Sequence, residues 1–168
     1  MHRFMTSLFC FLALTSCSGS SSDGSESSAV VSDLFTNSAA SSNSSWLVVK
    51  VVDGDTLWVQ GDGAEKEKIR LIGYDTPEGG ECGFDDATAY LTNLVDGKSV
   101  TLESGVASDK DKYDRLLRYV SVNGKDVGTS MIEAGLAIAR YDGLDGYEEH
   151  PKQNEYRKLD MTIPNLCP

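Results

Sequence analysis

The chain has 168 residues, enough for one domain of ordinary size with extensions at its ends. It carries 15 Lys and Arg against 26 Asp and Glu, and its formal net charge is −11. This charge argues against a nucleic-acid binder that works by general attraction to phosphate groups. Any polyanionic ligand would have to be held by a few well-placed cations, alone or with a metal ion.

The N-terminus predicts a signal peptide over residues 1–16, with one Arg followed by an apolar run that ends in small residues. The run is about a dozen residues long, short of the ~20 that span a bilayer as a helix. Residues 14–17, Leu-Thr-Ser-Cys, resemble the bacterial lipoprotein signal, in which the cysteine is acylated and becomes the mature N-terminus. We therefore expect export to the cell envelope with a lipid anchor at Cys17. The alternative is a plain secretory signal in which Cys17 is incidental.

Residues 18–45 are dominated by Ser, with Gly, Ala and acidic residues. Too few apolar side chains are present to offset the entropy lost on ordering the backbone, which predicts a flexible tether. From Trp46 onward the composition becomes rich in β-branched and aromatic residues. We therefore place the folded domain at residues 46–168.

Two of the four cysteines, Cys82 and Cys167, lie in the folded domain as an isolated pair. Oxidising conditions outside the cytoplasm favour a disulfide between such a pair. A zinc site is not expected, because two cysteines and distant histidines lack metal-ligand spacing.

The first three predicted strands surround two turns. The segments "WLVVKVV" (46–52) and "DTLWVQ" (55–60) flank Asp53-Gly54, which is a hairpin signal. A second turn at 61–65 leads into "KEKIRLIG" (66–73), where Ile69 and Leu71 share one face and Arg70 lies on the other.

The rest of the domain alternates between helices and strands. A helix is predicted over 84–95, two strands over 98–104 and 115–122, a short helix within 126–136, and a last helix beginning at Pro151. Five short strands with a helix between the third and fourth predict an α+β, mainly β fold: a five-stranded OB-type β-barrel with about three helices.

The acidic and basic residues near the strand ends are ordinary when each is taken alone. Asp53-Gly54 is a common turn, residues 75–78 make a polar loop, and Arg70 could lie on a solvated face. Taken together they suggest chemistry, because Asp55 and Asp75 at adjacent strand ends could share one hard cation. A cation, a nearby carboxylate base and two arginines that fork onto one phosphate are what phosphodiester hydrolysis needs.

Three motifs carry a resemblance to a known family: "DGDT" (53–56), "RLIGYDTPE" (70–78) and "DKYDRLLRYV" (111–120). In this order and separation they resemble the staphylococcal nuclease (thermonuclease) family, from about Trp46 to Tyr141 and more loosely beyond. The family has a five-stranded OB barrel with three helices and cleaves DNA and RNA with calcium.

The resemblance also implies roles for individual residues. Calcium would be bound directly by Asp55 and Asp75, through its carbonyl by Thr76, and through water by Asp53. Glu78 would activate the attacking water, while Arg70 and Arg115 would bind the scissile phosphate. Positions that bind a neighbouring phosphate or base are filled by Lys112, Tyr113 and Tyr141.

The sequence thus predicts a monomeric, calcium-dependent extracellular endonuclease that cuts DNA and RNA, preferably single-stranded, to 3′-phosphate products. The alternative is an OB-fold module that has lost catalysis and binds single-stranded nucleic acid or a protein partner. One departure bears on this choice: Asp114 stands where the family has a glycine, and it could pair with Arg115, for which Asp111 is a second candidate partner. We expect His150, which has no partner in the sequence, to lie at the surface.

Overall fold

A computed structural model describes residues 45–63 and 65–167. The predicted signal peptide (1–16), the lipidation at Cys17 and all but the last residue of the predicted tether (18–45) lie outside the described residues. Among the described residues, no helix is long and apolar enough to cross a membrane.

The described residues contain eight strands, and five of these form the barrel. The strands are β1 (Ser45–Asp53), β2 (Thr56–Gln60), β3 (Lys66–Leu71), β4 (Tyr74–Asp75), β5 (Ser99–Glu103), β6 (Leu116–Val122), β7 (Lys125–Asp126) and β8 (Ile138–Ala139). The β1–β2–β3 meander is antiparallel, β5 joins β1 to β6, and β6 closes the barrel by pairing with β3 in parallel. The predicted five-stranded OB-type barrel is therefore confirmed.

Three α-helices pack around the barrel, as expected: α1 (Phe84–Val95), α2 (Val127–Glu133) and α3 (Gln153–Asp160). Helix α2 starts directly after Asp126, whose carboxylate accepts a hydrogen bond from the Thr129 amide at 2.8 Å and so caps the helix. Helix α3 begins at Gln153, so its predicted start at Pro151 was two residues early; Pro151 and Lys152 form a turn before it.

The core fills the barrel and extends to the helices. Alternating residues of β2 and β3, among them Leu57 and Ile69, are fully buried, as are Leu91 of α1 and Met131 of α2. The period-two alternation sends the other residues of β2 and β3 to the outer face of the sheet.

His150 is buried, so the expectation of a surface residue was wrong. Only 6% of His150 is exposed, and its Nδ1 forms a short hydrogen bond with the Tyr119 hydroxyl. Burial lowers the pKa of His150, which favours the neutral imidazole. Tyr119 lies 31 residues away in sequence, so no local pattern could have predicted the contact.

Helix α3 is fixed by a buried ion pair that also holds a neighbouring loop. Asp142 has no exposed surface, and Arg157 of α3 donates to both of its oxygens at 2.6 and 2.8 Å. The same guanidinium donates to Asp145 at 2.6 Å, and Asp145 in turn accepts from the Tyr141 amide at 2.7 Å. The position of Tyr141 therefore depends on how α3 is docked.

A disulfide joins Cys82 to Cys167, with the two Cα atoms 5.7 Å apart. It links the C-terminal segment to the loop between β4 and α1. The Leu166 amide also donates to the Gly135 carbonyl at 3.0 Å, so the segment is held at two places.

Replacing both cysteines with serine (C82S/C167S) should lower the free energy of unfolding by about 4–5 kcal/mol in the chain-entropy model, because the bond closes an 85-residue loop. Guanidinium unfolding measures this change. A reductant should destabilise the original protein and leave the double variant unchanged. A peptide map in which Cys82 and Cys167 carry free thiols in the oxidised protein would contradict the pairing.

Candidate active site

The hairpin turn between β1 and β2 presents Asp55 at one end of the barrel. Gly54 is required there, because a Cβ at this position would lie 2.7 Å from Thr76 Oγ1 and 2.9 Å from Ala87 Cβ. Asp53 stabilises the turn by accepting a hydrogen bond from the Asp55 amide at 3.2 Å. The turn can thus pack against Thr76 and hold Asp55 beside the end of β4.

Arg70 bridges two carboxylates that come from different strands. Its Nη1 lies 2.8 Å from Asp55 Oδ2, and its Nη2 lies 2.9 Å from Asp75 Oδ1. The guanidinium reaches this place because Arg70 lies on the outer face of β3, opposite Thr56 of β2. Only 11% of the Arg70 side chain is exposed, so little solvent screens these contacts.

Asp55 is the most deeply placed of these carboxylates. Its two oxygens accept hydrogen bonds from the Thr56 hydroxyl at 3.1 Å and the Thr76 hydroxyl at 3.2 Å. Burial raises the pKa of Asp55 to about 6; Arg70 opposes the shift, while Asp53 and Asp75 add to it. The carboxylates together carry more negative charge than one guanidinium neutralises, so the cluster can accept a further cation.

The donor set fits a hard cation such as calcium. Asp55 and Asp75 supply carboxylate oxygens, which calcium accepts in flexible geometry with waters completing its shell, and Thr76 lines the same cleft. Across residues 45–63 and 65–167, no three His, Cys, Asp or Glu side chains group closely enough to hold a metal ion. A bound ion would therefore depend on backbone and water oxygens as well as on carboxylates.

A tight turn before β6 presents Arg115 to the same cluster. Asp111 accepts from the amides of Tyr113 and Arg115 at 2.9 and 3.0 Å and from Arg115 Nε at 2.7 Å. Arg115 Nη1 also donates to Thr56 Oγ1 at 3.2 Å. Thr56 in turn donates to Asp55, so Arg115 is linked to Asp55 through Thr56, whereas Arg70 contacts Asp55 directly.

Asp114 does not pair with Arg115, contrary to the concern that the sequence raised. Its φ of 62° lies in the left-handed region, and its carboxylate pairs with Lys110 at 2.9 Å. The Asp114 side chain is 84% exposed. This left-handed conformation explains why a glycine would suit the position.

The cleft has an aromatic and basic rim, formed by Lys112, Tyr113 and Tyr141. The Tyr141 hydroxyl donates to Asp75 Oδ2 at 3.1 Å, and Arg70 Cζ lies 5.6 Å from the Tyr141 ring centre. Tyr113 is 68% exposed, with Lys112 Nζ 5.0 Å from its ring centre. Both rings are therefore accessible to a ligand in the cleft.

Glu78 lies on the exposed loop that follows β4 and Pro77. Its amide donates to Glu81 Oε2 at 2.7 Å, and its carbonyl accepts from the Glu81 amide at 2.9 Å. Cys82, the residue after Glu81, joins this loop to Cys167 through the disulfide. The loop is thus held internally and by the C-terminal segment, while the Glu78 side chain stays exposed.

One cleft of about 750 Å³ brings together all ten residues predicted for catalysis, substrate binding and metal binding. They are Asp53, Asp55, Arg70, Asp75, Thr76, Glu78, Lys112, Tyr113, Arg115 and Tyr141.

The sequence analysis did not identify Thr56 or His150 as part of this region. The pairing of Thr56 with Arg70 across β2 and β3 could have pointed to Thr56, whereas nothing local points to His150.

Comparison with known proteins agrees with this arrangement. A family model described as "Staphylococcal nuclease homologue" matches residues 68–161, more than half of the chain. The chain is 34% identical over 125 residues to "Thermonuclease" from Staphylococcus intermedius, covering 68% of this chain and 66% of that protein. It is 33% identical over 129 residues to "Thermonuclease" from Staphylococcus hyicus, covering 69% and 73%.

A third relative is "Endonuclease YncB" from Bacillus subtilis, which is 33% identical over 117 residues, covering 66% of this chain and 53% of that protein. The chain spans from about half to two thirds of the length of the S. intermedius and B. subtilis relatives. The region that the family model matches, residues 68–161, contains Arg70 of β3, the Glu78 loop and the Arg115 turn. The family match, these relatives and the barrel with its shared cleft lead to one conclusion: the chain belongs to the staphylococcal nuclease family.

Proposed function

We propose that the chain is a calcium-dependent endonuclease that hydrolyses phosphodiester bonds of DNA and RNA and leaves 3′-phosphate ends. The observation that carries the proposal is the cluster in which Arg70 bridges Asp55 and Asp75. Arg115 and Glu78 line the same cleft. The proposal includes export and a lipid anchor at Cys17, for which the N-terminal sequence is the support.

The two arginines would hold the scissile phosphate. Both line the cleft, Arg70 paired with Asp55 and Arg115 linked to Asp55 through Thr56. A guanidinium can donate two parallel hydrogen bonds to phosphate oxygens. With calcium held by the Asp55 and Asp75 carboxylates and the Thr76 carbonyl, added positive charge would face the phosphate. Negative charge that builds up on the phosphate oxygens during reaction would then meet fixed cations in a partly buried site.

Glu78 would act as the general base. Its carboxylate would take a proton from a water molecule, whose oxygen forms a bond to phosphorus. The bond between phosphorus and the 5′ oxygen breaks, so the phosphate stays on the 3′ oxygen and the other fragment leaves with a 5′-hydroxyl after taking up a proton. The exposed position of Glu78 at the cleft suits a group that must reach water and substrate together.

The rim supports a preference for single strands. Tyr113 and Tyr141 have exposed rings on which an unpaired base could stack, and Lys112 could contact a neighbouring phosphate. Paired bases inside a duplex would not offer a free face to either ring. We propose that the protein acts as a monomer, since one chain supplies every group that the reaction needs.

The alternative function is a binding module without catalysis. Both arginines already contact carboxylates, which would weaken their hold on phosphate. The enzyme is favoured because an acid pair, a base and two arginines are all present in one cleft. A module that only binds nucleic acid would not need a carboxylate at the position of Glu78.

Glu78→Gln should lower kcat by about 10²–10⁴-fold, because a general base typically contributes that much. Binding of calcium and of a nucleoside 3′,5′-bisphosphate should change little, since the amide keeps the shape of the side chain. Steady-state cleavage of denatured DNA and calorimetric titrations measure the two effects. Glu103→Gln, an exposed change at the end of β5, is the control. Near-normal turnover in Glu78→Gln would exclude Glu78 as the base.

Asp111→Asn should lower kcat/KM by about 10–100-fold, because loss of its ion pair lets Arg115 move away from the phosphate. Asp114→Gly is the matched comparison in the same turn. It should stay within about threefold of the original activity, since an exposed pair with Lys110 is worth little and glycine suits a φ of 62°. The reverse order of effects would show that Asp114, rather than Asp111, controls Arg115.

A further inference from the structure

The outer face of the β1–β3 meander carries a group of cations around one tryptophan. Leu57 and Ile69 point into the core, so their neighbours Trp58 and Lys68 point outward. Trp58 is half-buried, and it lies directly opposite Lys50 of β1 on one side and Lys68 of β3 on the other. Directly paired residues of antiparallel strands share a face, so these side chains are neighbours.

The same face continues along β3 to the cleft. Lys66, Lys68 and Arg70 occupy alternate positions of the strand, so their Cα atoms recur about every 7 Å on one side of it. Arg70 is the residue that bridges Asp55 and Asp75. The row of cations therefore begins inside the candidate active site and leads away from it.

Three lysines of this face, Lys50, Lys66 and Lys68, form no ion pair with another described residue. Over residues 45–63 and 65–167, no ion pair within 4.0 Å involves Lys50, Lys66 or Lys68. Ion pairs in that range engage instead Arg70, Lys110, Arg115, Arg118, Lys125, Arg140, Lys152 and Arg157. In a protein with a net charge of −11, one sheet face thus carries three lysines that form no ion pair with another described residue.

We propose that Lys50, Trp58, Lys66 and Lys68 form a binding track for the part of a single-stranded nucleic acid that extends beyond the cleft. The inference rests on the proposed function, because the same nucleic-acid strand must also occupy the cleft in which it is cut. The lysines would contact successive phosphates while a base stacks on Trp58, a combination that binds single strands without sequence preference.

A single-stranded polyanion fits this face better than an anionic membrane. The track is continuous with the residues proposed to hold the scissile phosphate, through Arg70 and through Thr56, which lies two residues before Trp58. Strands 2 and 3 form the face with which OB folds bind oligonucleotides. The track would also give an acidic protein a means of holding a polyanion, because Lys66 and Lys68 lie on the strand that carries Arg70 into the cleft.

The test compares a single-stranded DNA dodecamer with a dinucleotide, which is too short to reach the track. The double variant K50Q/K68Q should lower the ratio of kcat/KM for the dodecamer to that for the dinucleotide by about tenfold. Loss of two phosphate contacts should reduce the slope of log kcat/KM against log salt by about 1.4, at ~0.7 for each contact with a single strand. Trp58→Leu should lower the same ratio by about tenfold through lost stacking.

K125Q/K158Q is the matched control, because it removes the same charge from β7 and α3, away from the cleft lining. It should leave the ratio and the salt slope unchanged. The track would be overturned if K50Q/K68Q or Trp58→Leu kept the original ratio while unfolding at the same denaturant concentration as the original protein. Cleavage of both substrates would still support the proposed function in that case.

A binding assay keeps the track testable if no cleavage occurs. The tryptophan fluorescence of the chain, titrated with the dodecamer in a chelator, should be quenched in the original protein and much less quenched in Trp58→Leu. Absence of any binding would overturn the track. A membrane surface would replace the track if Lys50 and Lys68 were needed for binding to phosphatidylglycerol vesicles but had no effect on binding of the dodecamer.

Discussion

The site depends on one shared contact, the Arg70 guanidinium held between the carboxylates of Asp55 and Asp75. The three residues come from the β1–β2 turn, β3 and β4, so the contact exists only when the barrel is assembled. It keeps two like charges close together in a place where burial already disfavours ionisation of Asp55. The two carboxylates carry more negative charge than one guanidinium neutralises, and the proposed calcium site and phosphate chemistry rest on this excess.

Three other groups at the cleft have supports that do not depend on Arg70. Asp111 organises the turn that carries Arg115. The Arg157–Asp142 pair fixes the loop before α3, and with it Tyr141. The disulfide and Glu81 hold the loop of Glu78. Since loops are otherwise mobile, these clamps explain how residues far apart in sequence can keep one arrangement.

The sequence predicted the barrel and two of its helices closely, because period-two strands, Asp-Gly turns and an amphipathic helix are local signals. The motifs also predicted which ten residues would share a cleft. Two features were not predicted. One is the burial of His150 against Tyr119, a contact across the fold, and the other is the pairing of Arg115 with Asp111 rather than Asp114, between which the sequence left the choice open. Asp114 has a left-handed φ and pairs with Lys110, and its residue type alone reveals neither feature.

The most direct test of the central claim follows cleavage of denatured DNA by the purified chain at low salt. Cleavage is measured with calcium, after chelation, and after calcium is added back. We predict cutting that stops on chelation, returns with calcium and leaves 3′-phosphate ends. No cutting by a folded sample that binds calcium, or cutting that chelation does not affect, would contradict a metal-dependent site built on Asp55, Arg70 and Asp75.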